Sequence, residues 1–133
     1  MSNAYARTLF GIAACFNILA GLPLLVATQP VAQLMGLQMT PTAGLFIQIT
    51  MIVVLMFGWA YWMVGRNPVR YRPYIVLGIA LKILVVAVIA SHWVAGTIPW
   101  PLPALVACDI VFAMLFWRYL NSTRSAQALT QLH

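Results

Sequence analysis

The chain has 133 residues, of which 64% are hydrophobic and 6% are charged. A soluble domain is usually about 45–50% apolar and roughly 25% charged, so this composition excludes a soluble enzyme, a disordered tail, a collagen-like chain and a disulfide-stapled secreted module. We therefore predict one membrane domain over residues 1–133. Seven basic residues against one Asp give a formal net charge of +6, which we interpret as a signal of orientation in a bilayer rather than of nucleic-acid binding.

Four long, nearly uncharged runs predict four transmembrane helices. In chain order, the predicted spans cover approximately residues 8–28, 43–65, 73–95 and 101–120. Each is close to the ~20 residues that an α-helix needs to cross ~30 Å of hydrocarbon, and none shows the alternation of a transmembrane strand. Between the first two spans, Pro30–Leu37 is expected to form a short helix at the membrane interface. The predicted fold class is all-α, an integral membrane four-helix bundle.

The arginines are predicted to lie on one side of the membrane if the chain crosses it four times. The segments 28–42 and 96–100, on the other side, carry no charge. The positive-inside rule then places both termini in the cytoplasm, with the helices in antiparallel up-down order. The arginines concerned are Arg7, Arg66, Arg70, Arg72, Arg118 and Arg124. Interfacial aromatics agree with this orientation, with Trp62, Tyr71, Tyr74, Trp117 and Tyr119 on the basic side and Trp93 and Trp100 on the other.

Three polar residues inside the predicted spans, Asn17, Lys82 and Asp109, are expected to lie at one depth. Each is nine or ten residues from the arginine or proline at the cytoplasmic end of its span. At 1.5 Å per residue this is roughly 13–15 Å, close to the bilayer midplane. A lone charge at that depth costs about 2.5–3.5 kcal/mol, and the cost falls if a partner of opposite charge is present. The third and fourth spans are joined by a short turn, so they are expected to be neighbours. We therefore predict that Lys82 and Asp109 pair, and we call the three residues the polar layer.

Small residues lie one helical turn from the polar layer, at Ala13, Gly21, Gly78 and Ala113. Small residues at this spacing let helix backbones approach closely, so the polar face of each helix is predicted to be its packing face. Two interpretations of the layer stay open. In the structural one, the ion pair and Asn17 hold three helices together. In the functional one, they line a cavity, bind a polar head group or relay protons.

Other polar residues in the spans are few. Gln48 and His92 are predicted to form a polar site near the outer face, while Cys15 and Cys108 are interpreted as small hydrophobic residues within the membrane. The sequence has no Cys-x-x-Cys motif, and one membrane His with one Asp does not supply a haem or di-metal site. We therefore predict no catalytic residue, no metal site and no cofactor from the residues themselves.

Four short motifs follow one another along the chain. They are FNILAGLPLL (Phe16–Leu25), GRNPVRYRP (Gly65–Pro73), GIALK (Gly78–Lys82) and DIVFA (Asp109–Ala113). Together they resemble the small four-span bacterial proteins grouped as DoxX-like. The resemblance implies a four-helix bundle in the bacterial inner membrane. Some of those relatives are subunits of membrane redox complexes that handle sulfur compounds and quinone, so the resemblance alone also implies quinone as a candidate ligand.

The leading hypothesis is a small inner-membrane protein that acts as a binding or accessory subunit. It would use the polar layer to hold a lipid or quinone-like ligand, or to hold partner helices. The partner helices would come from other subunits of a membrane complex or from a second copy of this chain. The alternative is a small dimeric transporter, although its one membrane acid has a predicted cationic partner. An intramembrane lipid-modifying enzyme is less favoured, because His92 lies ten residues from Lys82, about 15 Å along the helix axis.

Overall fold

A computed structural model describes residues 2–132, and within them the protein is helical without strands. The helices are α1 (Asn3–Val26), α2 (Thr28–Leu34), α3 (Pro41–Arg66), α4 (Arg72–Val94) and α5 (Pro101–Thr130). Four of them, α1, α3, α4 and α5, are long and apolar enough to cross a membrane. The prediction of an all-α protein with four potential membrane spans is therefore confirmed.

Local sequence signals account for where the helices begin and end. The hydroxyls of Ser2 and Thr40 each accept a hydrogen bond from a backbone N–H in the first turn of α1 and α3, at 3.2 and 3.1 Å. Such caps satisfy donors that have no partner within the helix. Pro23 lies inside α1, which ends shortly afterwards at Val26. A short helix, predicted over residues 30–37, is present as α2, displaced slightly toward the N-terminus.

Helix α5 continues beyond the end predicted at residue 120 and reaches Thr130. The extra part is polar, so hydropathy alone did not predict it, but its hydroxyl groups bond back to carbonyls of the same helix. Arg72, at the start of α4, contacts the residues where this polar part of α5 begins. It donates one hydrogen bond to the Thr123 hydroxyl at 2.7 Å and one to the Leu120 carbonyl at 3.0 Å. Those two bonds tie α4 to α5 at this end of the bundle.

Helix α1 packs closely against α3 because glycines stand where the two backbones meet. A Cβ atom added to Gly58 would lie 3.2 Å from Asn17 Cβ and 3.4 Å from the Ala14 carbonyl oxygen. A Cβ atom added to Gly21 would lie 3.2 Å from Val54 Cγ1. Small residues of this kind favour association in lipid, where helices gain little from the hydrophobic effect and much from close contact.

An aromatic core, formed by Phe10, Tyr61, Phe116 and Tyr119, joins α1, α3 and α5. The ring centroid of Phe10 lies 4.7 Å from that of Phe116 and 5.5 Å from that of Tyr119, and Tyr61 lies 5.1 Å from Phe116. All four side chains are almost completely buried. Tyr119, which the sequence grouped with the interfacial aromatics, thus belongs to the core. Most buried hydrophobic residues cluster around these rings, so this half of the bundle is the better packed one.

Replacing Gly58 by Leu is expected to separate α1 from α3. The larger side chain has no room at the contact with Asn17 and Ala14, and overpacking of this kind lowers the free energy of unfolding by about 1–3 kcal/mol. Gly11 provides the matched control, since a Cβ atom there meets nothing within 4 Å. Denaturation of the purified variants in detergent should show Gly58→Leu destabilised and Gly11→Leu unchanged or slightly stabilised. Equal stability of the two variants would contradict the close packing.

Candidate functional site

A cavity of about 250 Å³ lies between the four long helices, and all of them contribute to its wall. It extends from the polar layer toward the ends of α1 and α4, near Leu24 and Ile89. Most of its lining is aliphatic or aromatic. The lining residues that carry polar groups are Asn17, Thr50, Tyr61, Lys82 and Asp109. The cavity is therefore apolar with a polar end, and all three residues of the predicted polar layer line it.

Lys82 and Asp109 are in direct contact across α4 and α5. The Lys82 ammonium donates a hydrogen bond to Asp109 Oδ1 at 2.5 Å. The Lys82 side chain is 5% exposed and that of Asp109 is 18% exposed. In such a setting each charge depends on the other, because an unpaired ion in a low-dielectric interior is strongly disfavoured. The structure thus brings together the two residues that the sequence predicted to pair.

Three aromatic rings surround the Lys82 ammonium on its other sides. Its nitrogen lies 5.5 Å from the ring centroids of Tyr61 and Phe112 and 6.0 Å from that of Phe16. A cation within about 6 Å of a ring face is attracted by the negative face of the ring. The rings therefore stabilise the charge of Lys82 in addition to Asp109, and they come from α1, α3 and α5.

Asn17 lines the same cavity but is bound to α3 rather than to the ion pair. Its side-chain Nδ2 donates to the Val54 carbonyl oxygen at 3.0 Å, and the residue is 7% exposed. The missing side chain of Gly58 lets Asn17 approach the α3 backbone. The polar layer therefore consists of a Lys82–Asp109 pair between α4 and α5 and an Asn17 link between α1 and α3, which face one cavity.

Tyr61 is the residue of the site that the sequence reasoning missed. The residue is fully buried, and its hydroxyl has no hydrogen-bond partner among residues 2–132. Gly78 makes room for it, since a Cβ atom there would lie 2.7 Å from the Tyr61 oxygen. The position of Tyr61 in the sequence is a signal that could have found it. Tyr61 lies several residues inside the predicted second span, deeper than the tyrosines that mark the interface.

The predicted outer site is divided between separate local contacts. Gln48 donates to the Thr28 hydroxyl at 3.3 Å, at the junction of α2 and α3. His92 instead shares a hydrogen bond with the Thr97 hydroxyl at 2.9 Å, in the turn after α4. Within the described part of the chain, no hydrogen bond links Gln48 with His92. Neither residue lines the cavity that holds the polar layer.

The remaining reactive groups lie apart from the cavity. Cys15 and Cys108 are exposed on the surface of the helices, so each faces the surroundings of the bundle rather than its interior. Residues 2–132 contain no group of three or more His, Cys, Asp or Glu side chains placed to hold a metal ion. The chemistry that this arrangement supports is recognition, since it combines an apolar wall with hydrogen-bonding groups at one end.

No protein-family model, curated protein or solved structure matches the chain. The resemblance to DoxX-like proteins therefore rests on the four short motifs of the sequence. The candidate site rests on its own geometry, namely the cavity, the ion pair and the buried Tyr61.

Breaking the ion pair from either side is expected to destabilise the protein. Lys82→Met and Asp109→Leu should each lower the free energy of unfolding by about 3–5 kcal/mol, because each leaves one buried charge without its partner. The double variant should recover much of this loss, since both charges are then absent. Denaturation in detergent of both single variants and the double variant measures the coupling.

Ile83→Met serves as the control for this series, because Ile83 is the neighbour of Lys82 and is 56% exposed. It is expected to leave stability unchanged. A double variant as unstable as the sum of both single variants would show that the two charges do not depend on each other.

Replacing Tyr61 by Phe is expected to stabilise the empty protein by about 1–2 kcal/mol. The substitution keeps the ring in the aromatic core and removes a buried hydroxyl that has no partner among the described residues. Tyr5→Phe is the control, because Tyr5 is 37% exposed and should contribute little through its hydroxyl. Thermal denaturation of both variants in the same detergent tests this, and a loss of stability in Tyr61→Phe would contradict it.

Proposed function

We propose that this protein is a small polytopic membrane protein that binds a ligand in its interior cavity and acts as a binding or accessory subunit. The observation that carries the proposal is the cavity of about 250 Å³ that ends at the Lys82–Asp109 pair. Concave, largely apolar sites with a few convergent polar groups are the usual form of small-molecule sites in proteins. A ligand with an apolar body and a polar end fits such a site.

The size of the cavity limits what it can hold. An apolar cavity of about 150 Å³ accommodates benzene, and pockets for drug-sized ligands begin near 300 Å³. By proportion, about ten non-hydrogen atoms fit within 250 Å³. A membrane lipid or a quinone-like molecule would therefore place its head inside, with any long tail between the helices and the surrounding bilayer.

The proposed topology is an antiparallel up-down bundle in the bacterial inner membrane with both termini in the cytoplasm. Contacts between helices support this order. Arg7 lies beside Gly65 while Gly21 lies beside Val54, so positions rise along α1 as they fall along α3. Arg72 near the start of α4 likewise contacts the late part of α5. The arginines then share one end of the bundle, as the positive-inside rule requires of the cytoplasmic side.

The partners of Asp109 and His92 favour a binding function over the other two hypotheses. A proton-coupled transporter needs a membrane acid that exchanges a proton for substrate, whereas Asp109 already bonds to Lys82. A lipid-modifying enzyme that used His92 would need it at the cavity, yet His92 bonds to Thr97 in the turn after α4. The pair and the cavity require no further chemistry to act as a recognition site.

Filling the cavity is expected to abolish ligand binding without disturbing the ion pair. Ala20 lines the cavity, and Phe in its place would occupy much of the volume that a ligand of about ten atoms needs. The wild-type protein should be isolated gently from its own membrane, and the small molecules that accompany it identified by mass spectrometry. The expected result is a molecule that is retained by the wild type and lost from Ala20→Phe.

Cys15→Phe is the matched control, because Cys15 lies on the same helix but is exposed on its surface. This variant should retain the molecule. Repeated wild-type preparations without any such molecule, or equal retention by Ala20→Phe, would contradict the proposed function.

A further inference from the structure

The polar end of the cavity has one group that is both charged and accessible. The Asp109 side chain is 18% exposed, against 5% for the Lys82 side chain. Among residues 2–132, the only hydrogen bond to its carboxylate comes from Lys82 and goes to Oδ1. The second carboxylate oxygen makes no hydrogen bond within residues 2–132, and Asp109 is one of the residues that line the cavity. A carboxylate accepts hydrogen bonds and cannot donate them when ionised.

The charge of this end limits the ligand further. Lys82 neutralises Asp109, so the pair as a whole carries no net charge. A cationic or anionic ligand would bring an uncompensated charge into an apolar cavity, which is strongly unfavourable. A neutral group that donates a hydrogen bond satisfies Asp109 without this penalty. A hydroxyl group does so, and its own oxygen can also accept a bond from the unused N–H of Asn17.

From this geometry, and resting on the proposed binding function, we propose that the cavity recognises a neutral alcohol or phenol whose hydroxyl donates to Asp109. About ten non-hydrogen atoms of that molecule lie in the cavity. Lys82 is a positioning residue in this scheme, because its ammonium bonds to Oδ1 and holds the carboxylate in place. A ketone of the same shape lacks the donor, and a hydrocarbon of the same shape lacks any polar group.

Three probes of one size separate these chemistries. They are 1-(4-fluorophenyl)ethanol, 4-fluoroacetophenone and 4-fluorocumene, each of about ten non-hydrogen atoms, as the cavity requires. Fluorine NMR titration of the protein in nanodiscs measures the binding of each probe. The comparison is made between proteins for one probe at a time, so that partition of the probe into the lipid cancels.

The wild type is expected to bind the alcohol about tenfold more tightly than the Lys82→Met/Asp109→Leu double variant does, the effect of one hydrogen bond to a charged acceptor. Each of the other two probes should bind the wild type and the double variant with affinities that agree within about twofold. Neither probe donates to Asp109, and Asp109 with three aromatic rings encloses the Lys82 nitrogen, which leaves a ketone little access to it. Ile83→Met is the control that retains the ion pair, because Ile83 is 56% exposed and does not line the cavity, and it should keep the preference for the alcohol.

A measurement on the wild type alone tests the same contact directly. Asp109 is the only acidic side chain in the chain, so labelling aspartate with ¹³C at Cγ in cell-free synthesis gives one isotope-shifted antisymmetric stretching band from a side-chain carboxylate in the infrared spectrum. The alcohol is expected to shift this band, and the two other probes are expected to leave it in place.

The outcomes are distinguishable. The hydroxyl proposal is overturned if all three probes bind but the alcohol does not shift the carboxylate band. It is also overturned if the double variant loses as much affinity for the ketone as for the alcohol. In both cases the cavity still binds ligands. If no probe binds the wild type at saturating concentration, both the hydroxyl proposal and the proposed function are wrong.

Discussion

The structure depends on one electrostatic constraint, the pairing of the only acid of the chain with its only lysine inside a nearly uncharged helical bundle. An ion in an apolar interior is tolerated when it has a partner of opposite charge and good geometry. Lys82 and Asp109 meet this condition between α4 and α5, and three aromatic rings enclose the ammonium. The pair therefore fixes the rotation and the relative height of two helices at once, because displacement of either by one turn would separate the charges.

The bundle is packed unevenly around this pair, and the unevenness creates the site. Toward one end, the aromatic core leaves little free space. Beyond the pair, the four long helices leave the cavity that Asn17 and Asp109 line. Dense packing at one end gives a stable frame, and the open volume at the other end provides room for a ligand.

Tyr61 connects the two halves. Its ring belongs to the aromatic core and lies beside the Lys82 ammonium, while its hydroxyl lies against Gly78 without a partner among the described residues. A buried hydroxyl of this kind costs free energy, and such costs in native proteins often coincide with places where function needs polarity. The combination of a glycine and a tyrosine on facing helices thus brings a polar group close to the ion pair without a loss of packing around the ring.

The sequence by itself predicted a lipid environment, the four long helices and the pairing of Lys82 with Asp109. Runs of about twenty apolar residues predict helices long enough to span a bilayer, and the expectation that Lys82 and Asp109 lie at one depth follows from counting along a helix of fixed rise. The tertiary structure alone decided what surrounds the pair. That Asn17 bonds to Val54 rather than to the charges, that Tyr61 joins the layer, and that Gln48 and His92 find separate partners all depend on helix rotation and on contacts between distant segments. Hydropathy is insensitive to such rotation, because in lipid both the buried and the outward faces of a helix are apolar.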